Sequence, residues 1–197
     1  MSSYINNGMA GRLFDRLEQE AFRAGIQARS KESMEWFRDR VKTLRVSRRG
    51  LIGDGPVRSG ESFGRMMNFQ YDPKTKETLP YYDRFPLIIP TDQRGGRFWG
   101  INFHYLPYGL RVQLFRRMLS FASDNNFDEK TTINVSFRQL AGIRAVRPSI
   151  KSYLLSQVQS AFLNIRVNEM PVALNLPVQR FLGATDAKVY SDTRKML

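Results

Sequence analysis

Residues 68–119, NFQYDPKTKETLPYYDRFPLIIPTDQRGGRFWGINFHYLPYGLRVQLFRRML, concentrate Phe, Tyr and turn prolines in a stretch that carries no acid after Asp92. Each large aromatic gains roughly 1.5–3 kcal/mol when it leaves water, so so dense a block must be interior. It forms the core of a compact, β-rich and cationic fold. With 197 residues the chain is long enough to bury that core as one main domain.

Composition then limits what surrounds the core. Lysine and arginine number 31 against 18 acids, for a net charge of +13, and 23 of the cations are arginine. A field of that sign favours polyanions, and the guanidinium fork suits phosphate and carboxylate geometry alike. Nucleic acid and acidic protein surfaces are therefore both open as partners. The absence of cysteine excludes a disulfide framework, thiolate catalysis and Cys-based metal sites. No apolar run approaches the ~20 residues of a membrane span, and MSSYINNGMAGRLF has no hydrophobic signal core, so no membrane association and no secretion are expected.

Along the chain, Leu13, Phe14, Leu17, Phe22 and Ile26, then Met34, Phe37, Val41 and Leu44, follow helical spacing. Two helices are expected, broken near 25–30 by Gly25, with Ser30 capping the second. This helical arm, 1–45, carries a narrow apolar stripe of Leu13, Leu17, Phe22, Met34, Phe37 and Val41 that must dock on the domain body or a neighbouring subunit. Residues 46–62, with Gly50, Gly53, Gly55, Pro56 and Gly60 among arginines, read as a linker or surface loop.

From 63 to 184 an α+β core domain is expected, and 185–197 reads as a polar tail anchored at Val189 and Tyr190. Strands are assigned to 64–71, 85–90, 97–103 and 131–137, with Asp72-Pro73 and Gly95-Gly96 as turn punctuation. Helices are assigned to 110–122 and 149–164, and a last strand or two to 165–176. The fold class is α+β: a small bent antiparallel sheet or SH3-like barrel with two or three packed helices, preceded by the helical arm. On the strand 97–103, alternation would bury Trp99, Ile101 and Phe103 and turn Phe98 and His104 outward.

Two stretches contain cations and no acid: Gln93 to Ser123 and Lys130 to Asn168. Their candidates for a polyanion or partner surface are Arg94, Arg97, Arg111, Arg116, Arg117, Arg138, Arg144, Arg147 and Lys151, which either converge on several phosphates or scatter over different faces. Phe98, Trp99, Phe103, Tyr105 and Tyr108 are interleaved with them, either as core or as stacking surfaces for unpaired bases. Catalysis is not indicated. Asp72, Glu77, Asp83, Asp92 and His104 fall in no recognised spacing, Asp128-Glu129-Lys130 is a poor match to a nuclease core, and His104 suits a structural hydrogen bond better than acid/base work. No cofactor and no metal are expected.

The strings YDPKTKETLPYYDRFPL and GINFHYLP, followed by RPSIKSYLLSQVQSAFLNI and VALNLPVQRFLGAT, resemble a family of small proteins of myovirus-type tailed phages, described as DNA end protectors or virion structural proteins. The resemblance spans about 60–190 and implies a non-enzymatic component of a phage particle, located in the virion and, during assembly, in the host cytoplasm. It brings no catalytic residues. Its implied partners are other phage structural proteins and double-stranded DNA ends, in a multi-copy assembly. Two functions follow as expectations: binding of the packaged DNA end through the arginine-rich surface, or a baseplate, tail or neck role in which the arginines meet acidic neighbours and no DNA.

Overall fold

The computed structural model describes residues 9–27, 30–43, 66–123, 143–165, 169–176 and 178–196. Helices α1 (Met9–Arg23) and α2 (Lys31–Thr43) match the expected arm. Gly25, at φ +69°, takes a left-handed turn that favours glycine, and Ser30 then caps α2, its Oγ accepting the Ser33 amide at 2.9 Å. Both helices face the domain body: Leu17, Ala21, Phe37 and Val41 are buried in the main core. Between them Glu20 accepts from Arg16 at 2.9 Å and from Arg40 at 2.7 Å, and the hydrogen bond from Arg40, followed by that from Arg16, holds its carboxyl below the usual range.

The body is built on an open antiparallel sheet of β1 (Met66–Asn68), β3 (Leu87–Arg94), β4 (Arg97–Asn102), β5 (Ile150–Leu154) and β6 (Leu163–Ile165), in the order β5-β4-β3-β1-β6. Strands β2 (Tyr82–Asp83) and β7 (Phe181–Leu182) make a separate pair. The α+β class and the antiparallel sheet stand; the barrel alternative does not, because β5 and β6 remain separate edges. Helices α3 (Tyr108–Ser123), α4 (Met170–Asn175) and α5 (Asp186–Lys195) complete the described elements.

Period-two alternation covers both faces of the sheet. Met66, Leu87, Ile89 and Ile101 enter the main cluster with the arm, α3 and α4, while their neighbours Met67, Ile88 and Phe98 enter a second cluster with Phe69, Tyr71 and Tyr153. In the second cluster Phe98 stacks on Tyr153 at 5.2 Å and Phe69 meets Tyr153 edge-on at 5.4 Å. Phe98 is therefore interior, contrary to the expected outward position, and so is His104, whereas Trp99 is only half-buried. The reason is that this sheet has no solvent face in its centre.

Three further expectations are corrected. Residues 149–164 form β5, a bridge from Val158 to Tyr71 and β6 in place of a helix, because pairing Ile150 with Ile101 and Tyr153 with Phe98 buries the same apolar set better than a helix face would. The strand expected over 165–176 ends at Ile165, and Met170–Asn175 is helical, with Pro171 in its first turn where the missing amide costs nothing. The segment read as a polar tail contains α5, capped by Thr185, with the anchor Val189 fully buried. The expected strand 131–137 and the linker 46–62 lie outside the described residues.

Candidate nucleic-acid interface

The site grows from one edge of the sheet. β3 and β4 join through Gly95 and Gly96, both left-handed at φ +58° and +73°, which is the two-residue hairpin turn that fits strand twist. Pro90 cannot donate to the ladder, and the register shifts between it and Asp92. Beyond that bulge Arg94 lies directly opposite Arg97. Like charges in register destabilise a sheet, so the hairpin tip holds a cationic pair that a polyanion would neutralise.

On the other side of β4, edge strand β5 carries Lys151, two residues from Tyr153 and hence on the same face. Its Nζ sits 4.0 Å above the centre of the Tyr105 ring. No carboxylate among the described residues pairs with it, and burial pulls its pKa down to about 8. Arg97 donates to Ser152 Oγ on β5 at 3.3 Å.

Both cations line a cleft of about 790 Å³ along β5. The opposite wall is the turn-rich segment from Tyr71 to Asp83: Pro73, Lys74, Leu79, Pro80, Tyr81 and Tyr82 line it, and Met196 stands at its margin. Tyr81 and Tyr82 are half-buried, and Leu79 and Met196 are exposed by 40% and 60%. The acids nearby are already engaged. Asp72 accepts from Lys76 at 3.0 Å and from the Tyr82 hydroxyl at 3.4 Å, and the Tyr81 hydroxyl interacts with Asp192.

The floor is fixed by a buried polar network that sequence spacing did not join. Asp83 Oδ2 accepts hydrogen bonds from His104 Nδ1 at 2.7 Å and the Asn102 side-chain amide at 3.3 Å, while Oδ1 accepts the Phe85 and Arg180 backbone amides at 3.0 and 3.2 Å. Burial alone would raise the Asp83 pKa, yet His104 and the backbone donors outweigh it and the carboxyl stays low. Burial dominates at His104 and lowers its pKa, and among the described residues Nε2 has no hydrogen-bond partner while Nδ1 faces Asp83. His104 thus has the structural role expected of it.

The remaining candidates divide by position. Arg111 belongs to the interior: fully buried, it donates to the carbonyls of Leu106 at 2.7 Å and His104 at 3.2 Å and to the Tyr190 hydroxyl at 2.8 Å, and stacks 4.3 Å from the Tyr108 ring centre. It does not belong to a cationic surface, because its helix face is the one that packs on the core. Arg116 and Arg117 are exposed on α3, which contributes Leu114 and Phe115 to the main cluster, and Arg147 is exposed before β5. Arg138 and the side chain of Arg144 lie outside the described residues. So Arg97 and Lys151 line one cleft along β5, Arg94 stands opposite Arg97 at the β3–β4 hairpin tip, and the others do not join them. In the arm, Leu17, Phe37 and Val41 are buried against the body, Phe22 is 85% exposed, and the side chains of Leu13 and Met34 lie outside the description.

Of the five candidate stacking aromatics, Phe98, Phe103 and Tyr105 are core and Trp99 and Tyr108 are half-buried. Sequence reasoning missed Lys74, Leu79, Tyr81 and Tyr82 as wall residues. The signal available was the Pro80-Tyr81-Tyr82 run after a turn, since adjacent tyrosines in an irregular segment cannot both point into one core.

The chain thus combines an α+β fold with a cationic hairpin tip and a tyrosine-lined cleft along β5. The chain belongs to the family described as phage T4 terminal DNA protecting protein, whose model matches residues 9–196. No curated protein and no solved structure matches the chain.

Proposed function

We propose that the chain binds the end of packaged phage double-stranded DNA and shields it, as a non-enzymatic component of the virion that is present in the host cytoplasm during assembly. Family membership supports the DNA end as target. The observation that carries the contact is that Arg97 and Lys151 line one cleft along β5 while Arg94 stands opposite Arg97 at the hairpin tip, with no carboxylate paired to any of the three among the described residues. Phosphates supply the missing charge.

Electrophoretic shift of a linear duplex tests the proposal. At ~50 mM salt a retarded complex is expected, and three phosphate contacts would lose about 40-fold in affinity by ~200 mM. Absence of any shift for blunt or nicked duplex at the lower salt overturns it.

A second reading, a baseplate, tail or neck protein docked on other particle proteins without DNA, draws on Phe22, an aromatic left 85% exposed on α1 beside Glu18, Gln19 and Arg23. Under it, Phe22→Ser abolishes incorporation into particles and the purified chain ignores DNA.

A further inference from the structure

We propose that the cleft along β5 takes the terminal nucleotide of a DNA strand, its phosphate on Lys151 and Arg97 and its base against the Leu79–Tyr82 wall. This rests on the DNA-end reading and names the place where the end is held. A volume of about 790 Å³ lies within the ordinary range of small-ligand sites, and the lining has the two characters a nucleotide needs. One side is cationic: the Lys151 ammonium is half-buried over Tyr105, and Arg97 binds only Ser152 among the described groups. The other side is apolar and aromatic: Leu79, Pro80, Tyr81 and Tyr82.

Negative charge in the cleft is spoken for. Asp83 is saturated by four donors, and Asp72 is held by Lys76 and Tyr82. Neither competes with a phosphate for Lys151. Duplex DNA is too wide for a space of this size, whereas one terminal residue, frayed from its partner, fits and offers an unpaired base face to a tyrosine. The cleft thereby distinguishes an end from continuous duplex, which exposes phosphates and no free base. Arg94, at the hairpin tip, is left for the phosphates that follow.

The full-length protein is titrated with a deoxynucleoside 5′-monophosphate, with the deoxynucleoside and with inorganic phosphate, while tyrosine and lysine side-chain NMR signals are followed. Saturable shifts of Lys151 and of Tyr81 or Tyr82 are expected with the monophosphate, weaker ones with either part alone. Affinity for a linear duplex with 5′-phosphates is then measured against a closed circle for wild type, Lys151→Met, Lys151→Arg and Arg97→Gln. Lys151→Met should lose about tenfold for the linear duplex, the worth of one charge-assisted hydrogen bond, and nothing for the circle, with Lys151→Arg restoring the loss. Unmoved cleft signals, or a Lys151→Met protein that keeps its preference for ends, overturns the cleft assignment while leaving end binding intact. Equal binding of circle and linear duplex by wild type overturns the DNA-end reading, and the monophosphate titration still decides the cleft.

Discussion

At the scale of single residues, buried Arg111 and the buried Asp83–His104 pair behave differently. Arg111 has no carboxylate in contact among the described residues; its charge is spread over carbonyls, a hydroxyl and a tyrosine face. Removing it orphans those acceptors, so Arg111→Met should destabilise by about 3 kcal/mol, read as a lower denaturation midpoint at constant slope. Asp83 and His104 are set for acid sensitivity. His104 titrates lower in the fold than in the unfolded chain, so its stabilisation is complete above about pH 6.5 and declines as pH falls below that value. Asp83 is also lowered, so its contribution is complete above about pH 4 and is lost as pH falls through its folded value. Both act in the same direction. Chemical denaturation from pH 8 down to pH 4 should show stability flat to about 6.5 and falling thereafter, and Asp83→Asn should lower the plateau.

Individual elements show what could be read in advance and what could not. The arm was legible because its spacing, the Gly25 break and the Ser30 cap are all local signals, and the structure has each of them. So was the hairpin at Gly95-Gly96. Residues 149–164 were not, since Ile150, Tyr153, Leu154 and Val158 fit a helix face as well as a strand, and only the partner strand β4 decides. The site was half legible: Arg97 and Lys151 stand out as cations in acid-free stretches, but their convergence depends on that same unread pairing. Arg111 was unreadable as a core residue, because a charge is buried only when carbonyls distant in sequence assemble around it. Packing of the arm gives a direct check: Phe37 is 4% exposed within the main cluster, and Phe37→Ala should cost about 3–5 kcal/mol in unfolding free energy. Gly183 checks the cleft wall. At φ +88°, with a Cβ there only 2.7 Å from the Pro80 carbonyl, Gly183→Ala must displace the Pro80–Tyr81 backbone and lower the melting temperature by several degrees.

The whole molecule is a strongly cationic body with one sheet edge where charge, aromatic surface and concavity meet. Its +13 charge accelerates encounter with DNA anywhere along the duplex, and salt screens that effect. In the proposed function, preference for an end comes from the cleft. The measurement that tests this account most directly is digestion of a linear 5′-phosphorylated duplex by a processive exonuclease, with a saturating amount of the protein, at ~50 mM and ~200 mM salt. The account predicts protection that begins at the terminus, weakens at the higher salt and is reduced by Lys151→Met and Arg97→Gln, with correctly folded variants verified by their melting curves. Digestion at the same rate with and without the protein at the lower salt would contradict it.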